Sequence, residues 1–203
     1  MAYKYDVFLS YSRMEPHNEW SIKMFYPLFL SYLKEELNRD AEIFVDTQGI
    51  EGGSNWGLKI KNALAHSRCM VSILSPAYFR SIWCVKEFSV IDYRQKQLGY
   101  NTIQNPTGLI VPLRIYDGQH FPQFVNEIQI LDCRDFFRVG EGVKQTQLYI
   151  DLQTKILQWI PDVATSVLSA PDWNEDWLRD TWLEAPSGNY QINNEPKASQ
   201  PIL

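Results

Sequence analysis

Short apolar runs rich in β-branched residues, helix-period segments between them and turn residues at the junctions predict an α/β chain. Strands that read as continuous apolar runs belong to a parallel sheet buried on both faces. Five such runs fit a flavodoxin-like, doubly wound, five-stranded parallel sheet with helices on both faces, followed by a helical and disordered C-terminal tail. With 203 residues, 45% hydrophobic and 14% aromatic, the chain can bury a full core, and its length favours one domain with appendages. The domain is expected over residues 1–160 and an acidic, Trp-rich extension over 161–203.

Tyr5 to Ser10 (YDVFLS) is the first buried run, and Tyr11, Ser12, Arg13 and a polar stretch with Pro16 and Asn18 form the loop after it. Trp20, Met24, Leu28, Tyr32, Leu33 and Leu37 recur near helical period, so Trp20 to Leu37 is helical, and Pro27 predicts a kink or two shorter helices. Glu42 to Val45 is a second strand, closed by Asp46. The DTQGIEGGSNW that follows carries three glycines and is a loop able to move, and Ser54 or Asn55 can cap a helix reaching Ala65. Cys69 to Leu74 is the third strand, stopped by Ser75-Pro76. The helix carrying Trp83 and Glu87 then runs to Leu98, with Gly99 as its stop. Gly108 to Leu113 is the fourth strand, Arg114 to Phe124 a loop, and Ile128 to Asp132 a short last strand. Val143 to Ile160 is a helix with Leu148, Leu152, Ile156 and Trp159 on one side.

Charge and composition exclude several functions. Residues 1–160 carry 17 acidic and 17 basic side chains, so the net charge of −5 arises in 161–203, with seven acids against two bases. A neutral body gives no electrostatic case for nucleic acid. Cys69, Cys84 and Cys133 are too few and scattered for a disulfide framework or a CxxC metal site, and His17, His66 and His120 show no paired spacing, so no metal is expected. The cysteine usage suits a reducing cytoplasm. No run approaches the ~18 apolar residues of a membrane span, and the N-terminus has no apolar leader core, so no membrane partner is expected.

In a doubly wound sheet, ligands sit outside the carboxyl ends of the strands. Ser10 to Arg13, Asp46, Ser75 to Glu87 and Arg114 to Phe121 leave from four such ends, so four loops are expected to face one crevice. Trp83 and Glu87 are four residues apart and share a helix face, so the indole can shield one side of the carboxylate. A solvated surface glutamate over a core tryptophan is the other reading of that spacing.

Over residues 3 to 160 the chain resembles a TIR (Toll/interleukin-1 receptor) domain. The resemblance is carried by YDVFLSYS near the start, IFVD at 43–46 with the glycine-bearing loop after it, ALAHSR at 63–68, LSPAY at 74–78 and SIWCVKE at 81–87. Trp83 and Glu87 match the WxxxE motif of the enzymatic branch of this family, which implies that Glu87 is required for cleaving NAD+ at its nicotinamide–ribose bond, with Trp83 as its packing wall. One carboxylate suffices for that chemistry: ordinary glycosidases need a second to protonate a poor leaving oxygen, whereas nicotinamide leaves a pyridinium as a neutral molecule. By family position, Ser10, Tyr11 and Ser12 border the substrate, and Arg13 either meets its pyrophosphate or is an exposed, solvated arginine. Asp46 orients a hydroxyl or caps its loop, and Phe121, in a DGxx-aromatic-Pro pattern, stacks on a flat ring. Trp56 stacks on substrate or packs in the core.

NAD+ is thus implied as substrate, with no cofactor and no metal, and the product as ADP-ribose or a cyclic isomer. The loop after the second strand lacks the arginine-aspartate and proline-glycine pattern of receptor TIR domains. Family resemblance further implies self-association through TIR–TIR contacts, and a free-standing TIR of this size is similar to those of Thoeris-like antiphage systems, in which the nucleotide product activates a separate effector protein. The rival reading is a non-catalytic TIR adaptor; an electron carrier is disfavoured because no phosphate-binding loop follows the first strand. The tail places Trp173, Trp177 and Trp182 among acids between Pro171 and Pro186. It is either a short helix packed on the domain or an arm for a partner. Beyond Ser187 the polar sequence reads as disordered.

Overall fold

The computed structural model describes residues 2–46, 56–119, 121–122, 125 and 128–179. The glycine-bearing loop at 47–55, with Ser54 and Asn55, and the tail from 180 onward, with Trp182, lie outside the described residues.

The five predicted strands are present as β1 (Tyr5–Tyr11), β2 (Ile43–Val45), β3 (Ser67–Leu74), β4 (Ile110–Arg114) and β5 (Leu131–Asp132). They pair in parallel in the order β2-β1-β3-β4-β5, which is the flavodoxin-like doubly wound order. Side-chain alternation divides the core into two. Val7, Leu9 and Tyr11 of β1, with Cys69, Val71 and Ile73 of β3, face one cluster; Phe8, Met70 and Leu74 face the other. The first cluster is covered by helix α2 (Tyr26–Leu37) and the long α6 (Gln147–Leu168), the second by α3 (Trp56–Ala65), α4 (Pro76–Arg80) and α5 (Ile82–Gln97). Ser10 has the parity of Phe8 and therefore points under α5.

Four differences from the sequence reading have physical causes. The segment around Pro27 does not break. A short helix α1 (His17–Glu19) leads into a π-helical turn, Trp20–Phe25, where the Tyr26 N–H donates to Ser21 O five residues back, and Pro27 falls in the first turn of α2, where its missing N–H costs least. The helix after β3 is two helices. The Ser75 side chain accepts from Tyr78 N and opens α4; Ser81, extended at φ −81° and ψ 113°, accepts from Cys84 N and opens α5. Strand β5 keeps only two of its five predicted residues. The Met70 N–H bonds Leu109 O at 2.8 Å, which sets the register so that the nitrogen of Pro112 faces the β5 edge, with no proton to give. Finally, α6 starts at Gln147 and runs through Pro161 to Leu168, because Val163, Ala164 and Val167 continue its buried stripe while Pro161 sits on the exposed side.

The predicted stop at Gly99 is realised: its φ is +71°, and the Tyr100 N–H reaches back to Gln95 O at 2.8 Å. The segment after α6 folds back onto the body. Tyr100 and Tyr3 donate to Ser169 O (2.6 Å) and Pro171 O (2.7 Å), Trp173 Nε1 donates to Ala65 O (3.1 Å), and Trp177 is 2% exposed. The guanidinium of Arg94, itself 1% exposed, lies 4.3 Å from the centre of the Trp177 ring and donates to Leu64 O and Ser67 O. Burial lowers its pKa to about 10.

Candidate functional site

The break at Ser81 starts α5 at the carboxyl end of the sheet, and Glu87, in its second turn, is aimed back at the end of β1. Its Oε2 accepts a hydrogen bond from Ser10 Oγ at 2.5 Å, and Ser10 Oγ is 2.9 Å from the hydroxyl of Tyr78 on α4. Oε1 accepts none among the described residues and is the oxygen available to a cavity of about 790 Å3 that Glu87 helps to line. That volume falls within the roughly 300–1,000 Å3 typical of small-molecule sites. Glu87 is only 8% exposed, and among the described residues it forms no salt bridge. Burial raises its carboxyl to about 7, against the opposing effects of the Ser10 hydrogen bond and the Arg13 charge. A carboxyl held near neutrality at a cavity wall is a candidate for acid–base or electrostatic chemistry.

Three of the four predicted loops meet here. From the loop after β1 come Tyr11, Ser12, Arg13 and Met14; from β2, Asp46; from the third, Ala77, Arg80, Ser81, Trp83 and Cys84. Arg13 and Asp46 are ion-paired with each other, so the guanidinium expected at a pyrophosphate and the carboxylate expected at a hydroxyl are engaged together. Tyr11 is a buried wall residue whose hydroxyl donates to Asp46 O at 3.1 Å. The Ser12 side chain accepts from Met14 N at 3.4 Å and shapes the turn. Ser10, expected at the substrate, is 1% exposed and stands behind Glu87 instead. Trp83 is 41% exposed, with Lys86 Nζ 5.6 Å from its ring centre: it is a mouth residue, and not the core tryptophan of the alternative reading.

The fourth loop does not line this cavity among the described residues. The Phe121 ring packs on Phe79, with centroids 5.1 Å apart, and lies half-buried against the core cluster that includes Phe79. The apolar character that suggested stacking is satisfied by Phe79. Trp56 opens α3, whose Gly57 reaches the cavity; the Trp56 side chain lies outside what the structure describes. Sequence reasoning missed Tyr78, Arg80, Met14 and Cys84. Tyr78 lies within the LSPAY run, but only the fold brings its hydroxyl to Ser10. The capping serine at 81, three residues before Cys84, is a signal in the sequence for the end of α4 that leaves Arg80 at the rim.

A second cavity, about 590 Å3, lies between β4, the 128–132 segment and α6. It shares no residue with the first, and of its ionisable groups Asp132, Lys155 and Asp162, Asp132 is ion-paired with Arg114 and Arg134. Among the described residues no group of three His, Cys, Asp or Glu side chains can hold a metal ion, and no helix is long and apolar enough to cross a membrane. All three cysteines are buried and free.

The parallel doubly wound domain in the order β2-β1-β3-β4-β5 defines the class of protein. Residues 7–147 match the family described as TIR domain, and the chain belongs to that family. Among solved structures it is similar to the TIR domain of the Toll-related receptor TRR-2 from Hydra magnipapillata, with 22% identity over 75% of this chain and 98% of that one and a TM-score of 0.41. It is also similar to the TIR domains of the activated Roq1 resistosome recognising the pathogen effector XopQ, with 19% identity, 89% and 95% coverage and a TM-score of 0.40. No protein of curated function matches the chain.

Proposed function

We propose that this TIR domain is an NAD+ nucleosidase or ADP-ribosyl cyclase, breaking the nicotinamide–ribose bond to leave ADP-ribose or a cyclic isomer. The observation that carries this reading is Glu87, a buried carboxylate with one oxygen held by Ser10 and the other available to a cavity of substrate size. In its ionised form it places negative charge where the ribose becomes oxocarbenium-like, in a water-poor setting where that charge acts most strongly. No acid is needed for the leaving group, which departs neutral, so a single working carboxylate is consistent with the chemistry, the cavity's other acid among the described residues, Asp46, being ion-paired with Arg13. Arg13 and Arg80 offer guanidinium charge for the pyrophosphate, Asp46 steers Arg13, and Trp83 and Ser12 shape the mouth.

Met14 and Trp83, both exposed at the cavity mouth, suit a second TIR domain closing over it. Assembly of this kind, and a nucleotide product that activates a separate effector in cytoplasmic antiphage signalling, complete the reading. The test is chromatography of NAD+ incubated with concentrated protein and with Glu87→Gln. Nicotinamide release by the wild type alone is expected. Equal release from both removes Glu87 from its role, and release from neither, at concentrations where the protein assembles, leaves a non-catalytic TIR adaptor.

A further inference from the structure

We propose that Tyr78 is a positioning residue for Glu87, its phenol acting through the Ser10 hydroxyl to hold the carboxylate ionised and in one rotamer. The inference rests on Glu87 being the working carboxylate, and it concerns residues of three different elements. Tyr78 of α4 is 0% exposed, Ser10 of β1 is 1% exposed and Glu87 of α5 is 8% exposed, so neither of the two hydrogen bonds that join them can be freely traded for water.

Proton counting fixes the direction of the chain. Ser10 has one hydroxyl proton and gives it to Glu87 Oε2 at 2.5 Å, so its oxygen can only accept from Tyr78, at 2.9 Å. Burial drives the Tyr78 phenol well above its ordinary pKa of 10, so it keeps that proton throughout the accessible range. Both protons thus point toward the carboxylate. A Glu87 protonated on Oε1 still accepts from Ser10 but without the charge that strengthens the bond, and one protonated on Oε2 leaves either the Ser10 or the Tyr78 proton with no other partner among the described residues. The chain therefore favours the anion over the acid.

The other groups facing Glu87 are accounted for. Arg13, from the loop after β1, favours the anion and is shared with Asp46 of β2. Tyr11, pushed up to about 12, and Cys84, pushed higher, are neutral near pH 7 because they are buried. Arg80 ends α4 at the rim, Lys86 of α5 lies over Trp83, and α3 contributes Gly57 to the wall among the described residues. None of these can replace the donation that Ser10 and Tyr78 supply.

The experiment is a carbon-13 carboxyl titration of the full chain labelled with glutamate, Glu87 being assigned as the signal lost in Glu87→Gln. The wild-type midpoint lies near 7. Tyr78→Phe, which removes only a hydroxyl, raises it by about half a pH unit, Ser10→Ala raises it by about one, and Tyr78→Phe adds nothing in the Ser10→Ala background. If the functional reading also holds, nicotinamide release by Tyr78→Phe is about threefold below wild type at pH 6 and equal to it at pH 8.5. A midpoint unmoved by Tyr78→Phe, or unmoved by Ser10→Ala, overturns the proposal, as does a Tyr78→Phe shift that persists without Ser10. Absence of NAD+ cleavage in every variant would refute the functional reading and leave the titration to decide the relay.

Discussion

Replacing Glu87 by glutamine tests the burial of the carboxylate without reference to any reaction. The side chain is 8% exposed and its pKa stands at about 7, against an ordinary 4.5. The folded chain therefore holds this proton more tightly than the unfolded one, and unfolding releases it between pH 4.5 and 7. Its contribution to stability is fully present below pH 4.5 and is lost as the pH rises through about 7, after which it levels off. At about 1.36 kcal/mol per pH unit the full loss is about 3 kcal/mol, an upper value because the site can relax around the charge. Glutamine has the shape of the protonated acid and can accept from Ser10, so Glu87→Gln removes the titration and keeps the packing. Guanidinium denaturation of the two proteins at pH 5 and pH 8 reads the effect, since the titrations they share cancel in the difference. The variant is expected to gain little at pH 5 and about 3 kcal/mol at pH 8, or roughly 6–12 °C in Tm. A difference of the same size at both pH values, or a less stable variant at pH 8, would refute the argument that the fold strains against an ionised Glu87.

Three further outcomes follow from the geometry. If ionised Glu87 is the active form, kcat/KM for nicotinamide release rises about tenfold per pH unit below 7 and flattens above it; a rate that falls across pH 6 to 8 would contradict this sign. Trp177→Ala removes a 2% exposed indole and uncovers the buried Arg94 guanidinium, so unfolding free energy drops by about 3–5 kcal/mol by thermal melts; a loss under about 1 kcal/mol would mean that the segment after α6 is not part of the packed body. Phe121→Ala, by contrast with the sequence reading, leaves KM for NAD+ within about twofold while lowering stability, because its ring packs on Phe79; a tenfold rise in KM with stability unchanged would restore it to the substrate site.

What the sequence by itself determined was the alternation of elements and the parity of the strands. Continuous runs such as Val7–Ser10 and Cys69–Leu74 cannot tolerate a solvated face, which forces helices onto both sides of a parallel sheet, and strand-end residues such as Arg13 and Asp46 then gather at one rim. The WxxxE spacing fixed Trp83 and Glu87 on one helix. Contacts between residues far apart in the chain were decided only by tertiary structure, because no local periodicity encodes them. Ser10 and Tyr78 are 68 positions apart and meet because β1 pairs in register with β3 and α4 leaves the end of β3, while the break at Ser81 turns α5 so that Glu87 joins them. Phe121 had the composition of a stacking residue, and Trp177 could equally pack on the domain or serve a partner-binding arm; the nearest buried surface took both. Apolar rings go wherever area is removed from water, and that place exists only once the chain has folded.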